Sequence, residues 1–376
     1  MKLKCKISIS VINRFKVIIM NASLELLASM LPEGADAALI ASQTNRRYFT
    51  GFSSDLGYLL LTRKKSYLLV DSRYSEAAQA EARGVQVITF KKLSESLHAL
   101  VEKHSLGCIA LEGSGFNLNE ARSMETMLSP AELIETAAVD EAIGKLRIVK
   151  TSYEVEKIMK AQRITEQALT ETLPLVKPGV MERDIALELE YRIKKLGAQD
   201  VSFDLIVISG RKTSMPHGVP SENLIRSGDF ITFDIGALYE GYHSDMTRTY
   251  AVGEISDKQR RIYSVVKDAQ RLGLEAVRSG VAAGDVDKAA REYITHAGFG
   301  EYFGHSTGHG VGLDIHELPS VSSGNDSVLQ SGSVITVEPG IYLPGEFGVR
   351  IEDTVVVTPE GHINLCALPK DLISIG

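Results

Sequence analysis

Short apolar runs alternate with amphipathic stretches between residues 22 and 140, and this alternation predicts a small α/β domain. Five runs rich in apolar side chains predict strands, namely Asp36–Ala41, Tyr58–Thr62, Ser66–Val70, Val85–Phe90 and Cys108–Leu111. Three stretches between them predict helices, namely Leu24–Met30, Asp71–Arg83 and Leu93–His104. No cluster of titratable residues stands out in this part of the chain.

The pattern changes near residues 140–150, where we place a domain boundary. Thr151 and Glu154 form a predicted capping box at the start of a long helix. Helices are predicted over residues 151–175, Glu182–Leu196, Asp257–Arg278 and Gly284–His296. Strand-rich blocks follow each pair of helices, so the second part of the chain is predicted to have a duplicated architecture.

The composition is that of a folded globular protein, with 44% hydrophobic and 24% charged residues, which excludes disorder as the main interpretation. The formal net charge of −7 lacks the basic field expected of a nucleic-acid binder. The three cysteines are Cys5, Cys108 and Cys366; they form no CxxC pair, so a reducing cytoplasm is expected. No apolar run reaches the roughly 20 residues needed to cross a bilayer.

Residues 1–20 begin with a basic stretch, as a signal peptide would. However, Lys6, Arg14 and Lys16 interrupt any apolar core, and no small-residue cleavage site follows. We interpret this segment as an N-terminal extension before the folded body, with a true start at Met20 as the alternative.

The block Phe230–Tyr250 predicts a β-hairpin with turn residues around Glu240. Folding it about the midpoint between Tyr239 and Glu240 puts Asp234 opposite Asp245. Directly opposed residues have Cβ atoms about 4.5–5.5 Å apart, and two carboxylates at that distance need a shared proton or a cation. If the turn is placed one residue off, the two carboxylates are not opposed.

A second predicted hairpin, Val334–Val357, folds about Gly345 and puts Glu338 opposite Glu352. Four converging carboxylates cannot all stay ionised without a cation. Oxygen-rich ligation suits divalent ions such as Mn²⁺, and a site with this many carboxylates could hold two of them. The two matching pairs therefore predict a metal site.

Three histidines, His305, His309 and His316, lie in a glycine-rich stretch. His305 and His309 would share one face of a helix, but the glycines between them favour a loop or a strand with close backbone approach. One imidazole among four carboxylates would complete a mixed nitrogen and oxygen site. His217, in a proline-flanked turn, is a further candidate, and His243 is either a site residue or a structural one.

This set of residues resembles the di-metal site of the "pita-bread" metallopeptidases, family M24. The resemblance is closest to the Xaa-Pro branch, aminopeptidase P and prolidase, and rests on PHGVPS, DIGALYEGYHSDMTRTY, GHGVGLDIHE and EPGIY, within about residues 150–366. YFTGFSSDLGYLLL and VDSRYSEAA resemble the N-terminal domain of creatinase and Xaa-Pro peptidases. The expected fold is α/β (α+β), with an extension over residues 1–20, a creatinase-like domain over 21–140 and a pita-bread catalytic domain over 141–376.

The resemblance implies a role for each ligand. Asp234 would chelate one metal ion, His309 and Glu338 would serve the other, and Asp245 and Glu352 would bridge both. A hydroxide between the two ions, its pKa lowered by them, would attack the scissile carbonyl. The expected ions are Mn²⁺, with Co²⁺ and Zn²⁺ as alternatives.

The remaining site residues also take their roles from the resemblance. Glu338 would move a proton from water to the leaving nitrogen, and His316 would hydrogen-bond the substrate carbonyl or the developing oxyanion. Arg350 stands two residues before Glu352 on the same strand face, so it could orient the carboxylates. The residues implied to line the pocket for the proline ring are His217, His305 and Tyr342.

The function implied is that of a metal-dependent Xaa-Pro aminopeptidase, which cleaves between an N-terminal residue and a following proline. Prolidase, with the same chemistry on dipeptides, is the alternative, and a non-catalytic peptide-binding module is a distant third. Many prolidase-like members carry a basic residue where this chain has Ser320, and such a residue could bind the carboxylate of a dipeptide. We expect a cytoplasmic homodimer that acts on proline-containing peptides and binds neither nucleic acid nor membrane.

Overall fold

The computed structural model describes residues 20–134 and 136–376, and the chain divides into two compact units between Leu146 and Arg147. The extension predicted for residues 1–20 lies outside the described residues, apart from Met20, at which a helix begins. Among the described residues, no helix combines the length and the apolar character needed to cross a membrane.

The first unit is built on a six-stranded mixed sheet with the order β4–β3–β2–β1–β5–β6. The strands are β1 (Ala37–Ile40), β2 (Tyr58–Thr62), β3 (Ser66–Val70), β4 (Gln86–Thr89), β5 (Cys108–Leu111) and β6 (Glu132–Ile134). β2 pairs antiparallel with β1 and β3, and the other three pairings are parallel. The helices are α1 (residues 20–29), α2 (Gln43–Thr50), α3 (Ser75–Glu81), α4 (Leu93–His104), α5 (Leu118–Leu128) and, at the end of the unit, α6 (Ala138–Ile148).

Both faces of this sheet are covered, which explains why its central strands are continuous apolar runs. All four residues of β1 are buried. Leu39 belongs to the apolar cluster to which helix α4 contributes side chains. Ile40 belongs to the apolar cluster on the opposite face of the sheet. Four predicted elements, β2, β3, β5 and α4, begin and end where the sequence pattern places them, whereas α2, α5 and β6 were not predicted.

The second unit contains two pairs of helices, each packed on a block of strands. The first pair is α7 (Ser152–Thr172) and α8 (Glu182–Lys195), and the second is α9 (Asp257–Ala276) and α10 (Ala283–His296). The capping box predicted for α7 is confirmed, because Thr151 accepts a hydrogen bond from the Glu154 amide and the Glu154 side chain accepts one from the Thr151 amide.

The strands of this unit form antiparallel ladders, except that β20 runs parallel to β12. The first block contains β7 (Asp200–Val201), β8 (Ile206–Ser209), β9 (Phe230–Ile235), β10 (Ala237–Tyr239), β11 (Tyr242–His243) and β12 (Met246–Val252). The second contains β13 (Gly308–Gly310), β14 (Glu317–Val321), β15 (Val334–Val337), β16 (Gly340–Leu343), β17 (Phe347–Arg350), β18 (Asp353–Val357), β19 (His362–Asn364) and, at the C-terminus, β20 (Ser374–Ile375). The orders are β11–β10–β7, β20–β12–β9–β8, β14–β13–β15–β18–β19 and β16–β17.

Each helix pair has its own apolar core. Helices α7 and α8 pack on β8, β9 and β12, as in the contact of Leu189 with the cluster around Phe233. Helices α9 and α10 pack on β16 and β17, where Ala290 and Ile341 belong to one cluster. This arrangement matches the duplicated architecture expected from the sequence.

Candidate metal centre and substrate cleft

The first carboxylate-bearing hairpin has a different register from the one predicted. Asp234 pairs with Thr247, not with Asp245, so the prediction that the two aspartates are directly opposed is wrong. The turn is centred one residue further along, because Glu240 and Gly241 take φ angles of 47° and 81°. Positive φ at both central residues is the signature of the two-residue type I′ turn.

The two aspartates nevertheless meet on one face of the sheet. Asp245 stands two residues before Thr247, and residues two apart on a strand point to the same side. A residue diagonal to its partner in a ladder lies about 7–8 Å away, within reach of a shared cation. Both Asp234 and Asp245 line the same cleft.

The second hairpin has the predicted register. Val337 pairs with Asp353 in the β15–β18 ladder, and Gly340 pairs with Arg350 in the β16–β17 ladder. Both pairings are symmetric about Gly345. Glu338 and Glu352 lie between the two ladders and therefore face each other. The same strand-pairing register thus runs through both the β16–β17 ladder and the β15–β18 ladder, which belong to different sheets.

Strand β13 brings His309 to these carboxylates. Its Nε2 atom lies 3.3 Å from Glu338 Oε1 and 3.5 Å from Asp245 Oδ2. A Cβ on Gly308 would lie 2.0 Å from the carbonyl oxygen of Thr336, so only glycine allows β13 to approach β15 this closely. The glycines around His309 therefore serve a strand with close backbone contact, as one of the two sequence interpretations held.

Three of the side chains form a cluster suited to a cation. Asp245, His309 and Glu352 offer ligand atoms that all lie within 4.8 Å of one another. Asp245 Oδ1 and Glu352 Oε1 are buried and have no hydrogen-bond donor among the described residues. A buried carboxylate oxygen without a partner is costly, and a divalent cation would satisfy both. The donor set of carboxylate oxygens and one imidazole nitrogen fits ions such as Mn²⁺ or Zn²⁺.

Without a cation, the clustered carboxylates repel one another, and their pKa values shift as a result. Burial raises the pKa of Asp245, Glu352 and Asp234, and neighbouring carboxylates raise those of Asp245 and Glu352 further. Burial also acts to raise the pKa of Glu338, but the hydrogen bond and charge of His309 outweigh it and the net shift is downward. Correspondingly, burial acts to lower the pKa of His309, and Glu338 reverses the direction.

Arg350 contacts Asp234 rather than the nearer residue in sequence, Glu352. Its guanidinium is buried and donates to Asp234 Oδ2 at 2.5 Å and to the Tyr342 hydroxyl at 2.8 Å. It also donates to the carbonyl oxygen of Pro216 at 3.2 Å. Arg350 is thus hydrogen-bonded to one of the candidate ligands, Asp234, and its role in orienting carboxylates stays a prediction.

The remaining histidines lie around the cluster. The His305 Nε2 atom lies 2.9 Å from the Tyr342 hydroxyl, and its other nitrogen is 2.7 Å from the carbonyl oxygen of Ser306. The ring of His316 stands edge-on to that of His309, with centroids 4.3 Å apart. Burial lowers the pKa of both His305 and His316. His217 is exposed and lines the same cleft.

His243 has a structural environment. Its Nδ1 atom lies 2.8 Å from the Ser202 hydroxyl, and its amide donates to the carbonyl oxygen of Gly312. Burial lowers its pKa. These contacts tie β11 to two neighbouring segments, which fits the structural alternative.

Two threonines of the site were missed in the sequence. Thr247 donates to Glu352 Oε2 at 2.8 Å, and Thr336 donates to Glu338 Oε1 at 3.2 Å. Thr336 stands two residues before the carboxylate that it holds, and that spacing was the signal available in the sequence. Thr247 holds a carboxylate 105 positions further along the chain, so no local spacing indicated its role.

The cleft has a volume of about 1060 Å³. Tyr342 lies behind it. All the other predicted site residues line it, namely His217, Asp234, Asp245, His305, His309, His316, Glu338, Arg350 and Glu352. Leu187 and Val219 form part of its wall and are largely exposed. The cleft thus places exposed apolar side chains near the charged cluster.

Two protein families match the chain. "Metallopeptidase family M24" matches residues 156–359, and "Creatinase/Prolidase N-terminal domain" matches residues 24–149. An Xaa-Pro dipeptidase of Pyrococcus horikoshii is 39% identical over 357 residues, which are 94% of this chain and 99% of that protein.

Solved structures agree with this match. An Xaa-Pro dipeptidase from Bacillus anthracis superposes with a TM-score of 0.92 at 39% identity, covering 95% of this chain and 100% of that one. An X-Pro aminopeptidase from Thermotoga maritima gives 0.86 at 38% identity, with 91% and 98% covered. The predicted α/β fold and metallopeptidase class are confirmed. By sequence and by structure, the chain belongs to metallopeptidase family M24 and carries a creatinase-type domain ahead of its peptidase domain.

Proposed function

We propose that the protein is a metal-dependent Xaa-Pro dipeptidase, which hydrolyses the bond between a residue and a C-terminal proline. The observation that carries the catalytic part is the pair of buried carboxylate oxygens, on Asp245 and Glu352, that lack a donor among the described residues. The Xaa-Pro part rests on relatives, since proteins 39% identical over nearly the whole chain bear that name.

The metal ions would be held by Asp234, Asp245, His309, Glu338 and Glu352. Divalent ions in such a set polarise a carbonyl group and lower the pKa of water. Arg350 holds the Asp234 carboxylate from behind at 2.5 Å, which fixes the direction in which its oxygens point.

The other residues act directly on the substrate. Glu338 keeps 17% of its side chain exposed, so it can take a proton from the attacking water and pass it to the leaving proline nitrogen. His316, beside His309 at the edge of the cluster, donates to the carbonyl oxygen of the scissile bond. His217 and His305 flank the proline ring, and the Tyr342 hydroxyl holds the His305 ring in place.

An Xaa-Pro aminopeptidase is a second candidate, and three observations favour it. The cleft, at about 1060 Å³, is slightly larger than the roughly 300–1,000 Å³ found for small-molecule sites, which leaves room for a longer peptide. Ser320 lines it without a charge. The similarity to an X-Pro aminopeptidase from Thermotoga maritima is nearly as high as that to the dipeptidases.

Three peptides separate these hypotheses. Ala-Pro, Ala-Pro-Ala and Ala-Ala-Ala are offered to EDTA-treated protein with and without Mn²⁺, Co²⁺ or Zn²⁺, and an Asp245→Asn variant serves as the inactive control. Metal-dependent cleavage of Ala-Pro alone supports the dipeptidase, and cleavage of Ala-Pro-Ala alone supports the aminopeptidase. If none of the peptides is cleaved with any ion, the catalytic proposal is wrong. A homodimeric state and a cytoplasmic location stay predictions.

A further inference from the structure

A short loop over residues 216–221 forms one lip of the cleft. It carries His217 and Val219, both of which line the cleft, and Val219 is 74% exposed. A loop with an exposed tip needs anchors if its side chains are to meet a substrate in one position. The loop is held at several points, by residues that contact its backbone and its last hydroxyl.

The first anchor is Glu182, the first residue of helix α8. Its side chain is fully buried and accepts six hydrogen bonds. Two come from the amide and hydroxyl of Ser221, at 3.2 and 3.1 Å, and two from Ser209, at 2.7 and 3.0 Å. Asn223 and Lys212 supply the other two. A carboxylate at a helix N-terminus is also favoured by the helix dipole.

The second anchor is Lys212, in the 3₁₀ helix between β8 and the loop. Its three N–H groups have three acceptors, which are Glu182 Oε2 at 2.6 Å, the carbonyl oxygen of Val219 at 2.7 Å and the Ser221 hydroxyl at 2.8 Å. The ammonium group thus bridges the buried carboxylate and the backbone of the loop tip. Its donors are fully used, which leaves none for the substrate.

The far end of the loop is held by Arg350, which donates to the carbonyl oxygen of Pro216. His217 therefore sits between an anchor at Pro216 and an anchor at Val219. The amide of Gly218 donates to the carbonyl oxygen of Met215 and closes a tight turn between them.

We propose that the buried Glu182–Lys212 pair is a positioning pair, which holds the 216–221 loop so that His217 and Val219 meet the substrate. The pair touches neither the substrate nor the carboxylate cluster and acts through the loop. This inference rests on the proposed function in one respect, namely that the group bound between His217 and Val219 belongs to an Xaa-Pro peptide.

The test compares Lys212→Met with a matched control, Arg163→Met. Arg163 pairs with Glu166, a buried carboxylate that accepts from the amides of Ala367 and Leu368. None of these residues lines the cleft. Both substitutions remove a cation from a buried carboxylate that holds a backbone segment. Only Lys212 holds a segment that lines the cleft.

We expect Lys212→Met to raise KM for the cleaved Xaa-Pro peptide at least about tenfold, since a misplacement of about 1 Å can cost a hundredfold. The turnover number should change less, because the carboxylate cluster is untouched, and Mn²⁺ affinity should match that of the wild type. Lys212→Arg keeps the charge and should recover most of the loss. Arg163→Met should lower the melting temperature without changing KM.

Amide hydrogen exchange of the metal-loaded protein provides a readout independent of activity. Exchange over residues 215–223 should be faster in Lys212→Met than in the wild type and unchanged in Arg163→Met. Equal KM in the wild type and Lys212→Met, or unchanged exchange in this segment, would overturn the proposal. If the wild type cleaves no Xaa-Pro peptide, the proposed function fails, and the exchange experiment still decides whether the pair holds the loop.

Discussion

Replacing Glu352 with glutamine should stabilise the EDTA-treated protein while removing its response to metal. The side chain is buried, with one oxygen held by Thr247 at 2.8 Å and the other without a donor among the described residues. Burial and the charges of Glu338 and Asp234 raise its pKa well above the ordinary value, so its negative charge opposes folding. Glutamine keeps the shape and removes that charge.

The size of the effect follows from the burial and from the length of the catalytic unit. An unsatisfied buried group costs about 1–3 kcal/mol. In a unit of the size of Arg147–Gly376, 1 kcal/mol shifts Tm by about 2–4 °C. The gain in the EDTA-treated variant should therefore be about 2–12 °C.

Metal should stabilise the wild type and have little effect on the variant. A free ion at a hundredfold excess over Kd stabilises the wild type by about 2.7 kcal/mol, which is a rise in Tm of about 5–11 °C. The Glu352→Gln variant lacks one ligand and should show little of this rise.

The assay is thermal unfolding of EDTA-treated protein during a titration with Mn²⁺. Glu346→Gln is the control, because Glu346 is an exposed carboxylate at the tip of the same hairpin, where it pairs with Lys258 at 2.6 Å. A lower Tm for EDTA-treated Glu352→Gln, or a metal-induced rise equal to that of the wild type, would refute the reasoning.

Other substitutions test the packing and the electrostatics. Gly308→Ala should lower Tm and weaken Mn²⁺ binding, because its Cβ would lie 2.0 Å from the Thr336 carbonyl oxygen and overpacking costs about 1–3 kcal/mol; a wild-type titration curve would contradict this. Tyr342→Phe should lower kcat/KM about tenfold, because it removes a hydroxyl that holds both an imidazole and a guanidinium; unchanged kinetics would mean that this hydroxyl does not position the site. Burial lowers the pKa of His104, which hydrogen-bonds Tyr67 at 2.7 Å. The unfolded chain then takes up the proton first, so this residue's contribution is complete above about pH 6.5 and is lost as pH falls below it. His104→Gln should flatten the fall in urea midpoint between about pH 7 and 5, and a fall as steep as in the wild type would contradict this.

The two hairpins explain why the sequence predicted one carboxylate pair well and the other less well. The second hairpin is symmetric about Gly345, and its ladders keep that symmetry from residue 334 to residue 343 on one arm and from 347 to 356 on the other. The first depends on where a two-residue turn falls, and both Tyr239–Glu240 and Glu240–Gly241 were reasonable centres. Positive φ at Glu240, uncommon for a residue with a side chain, decided the register.

Other features could not be predicted because they depend on contacts far along the chain. Helix α2 is polar, and it is stabilised by a cap from Ser42 and by the burial of Phe49 against the sheet. The six donors around Glu182 come from three segments, so no local pattern identifies this glutamate. In contrast, α7 and α9 begin at local capping boxes, and the bounds of all four helices of the second unit were predicted to within a few residues.

The single register that runs through both ladders of the second hairpin determines where this chain tolerates changes in length. Residues 344–346 at the tip are exposed, and a Cβ on Gly345 would meet nothing within 4 Å. An insertion there lengthens the loop and leaves Glu338 facing Glu352. A single residue inserted in either arm would turn one of these carboxylates to the opposite face of its strand. The tip is therefore a place for an epitope or a fluorescent label, whereas the arms, a few residues away, should tolerate no insertions or deletions.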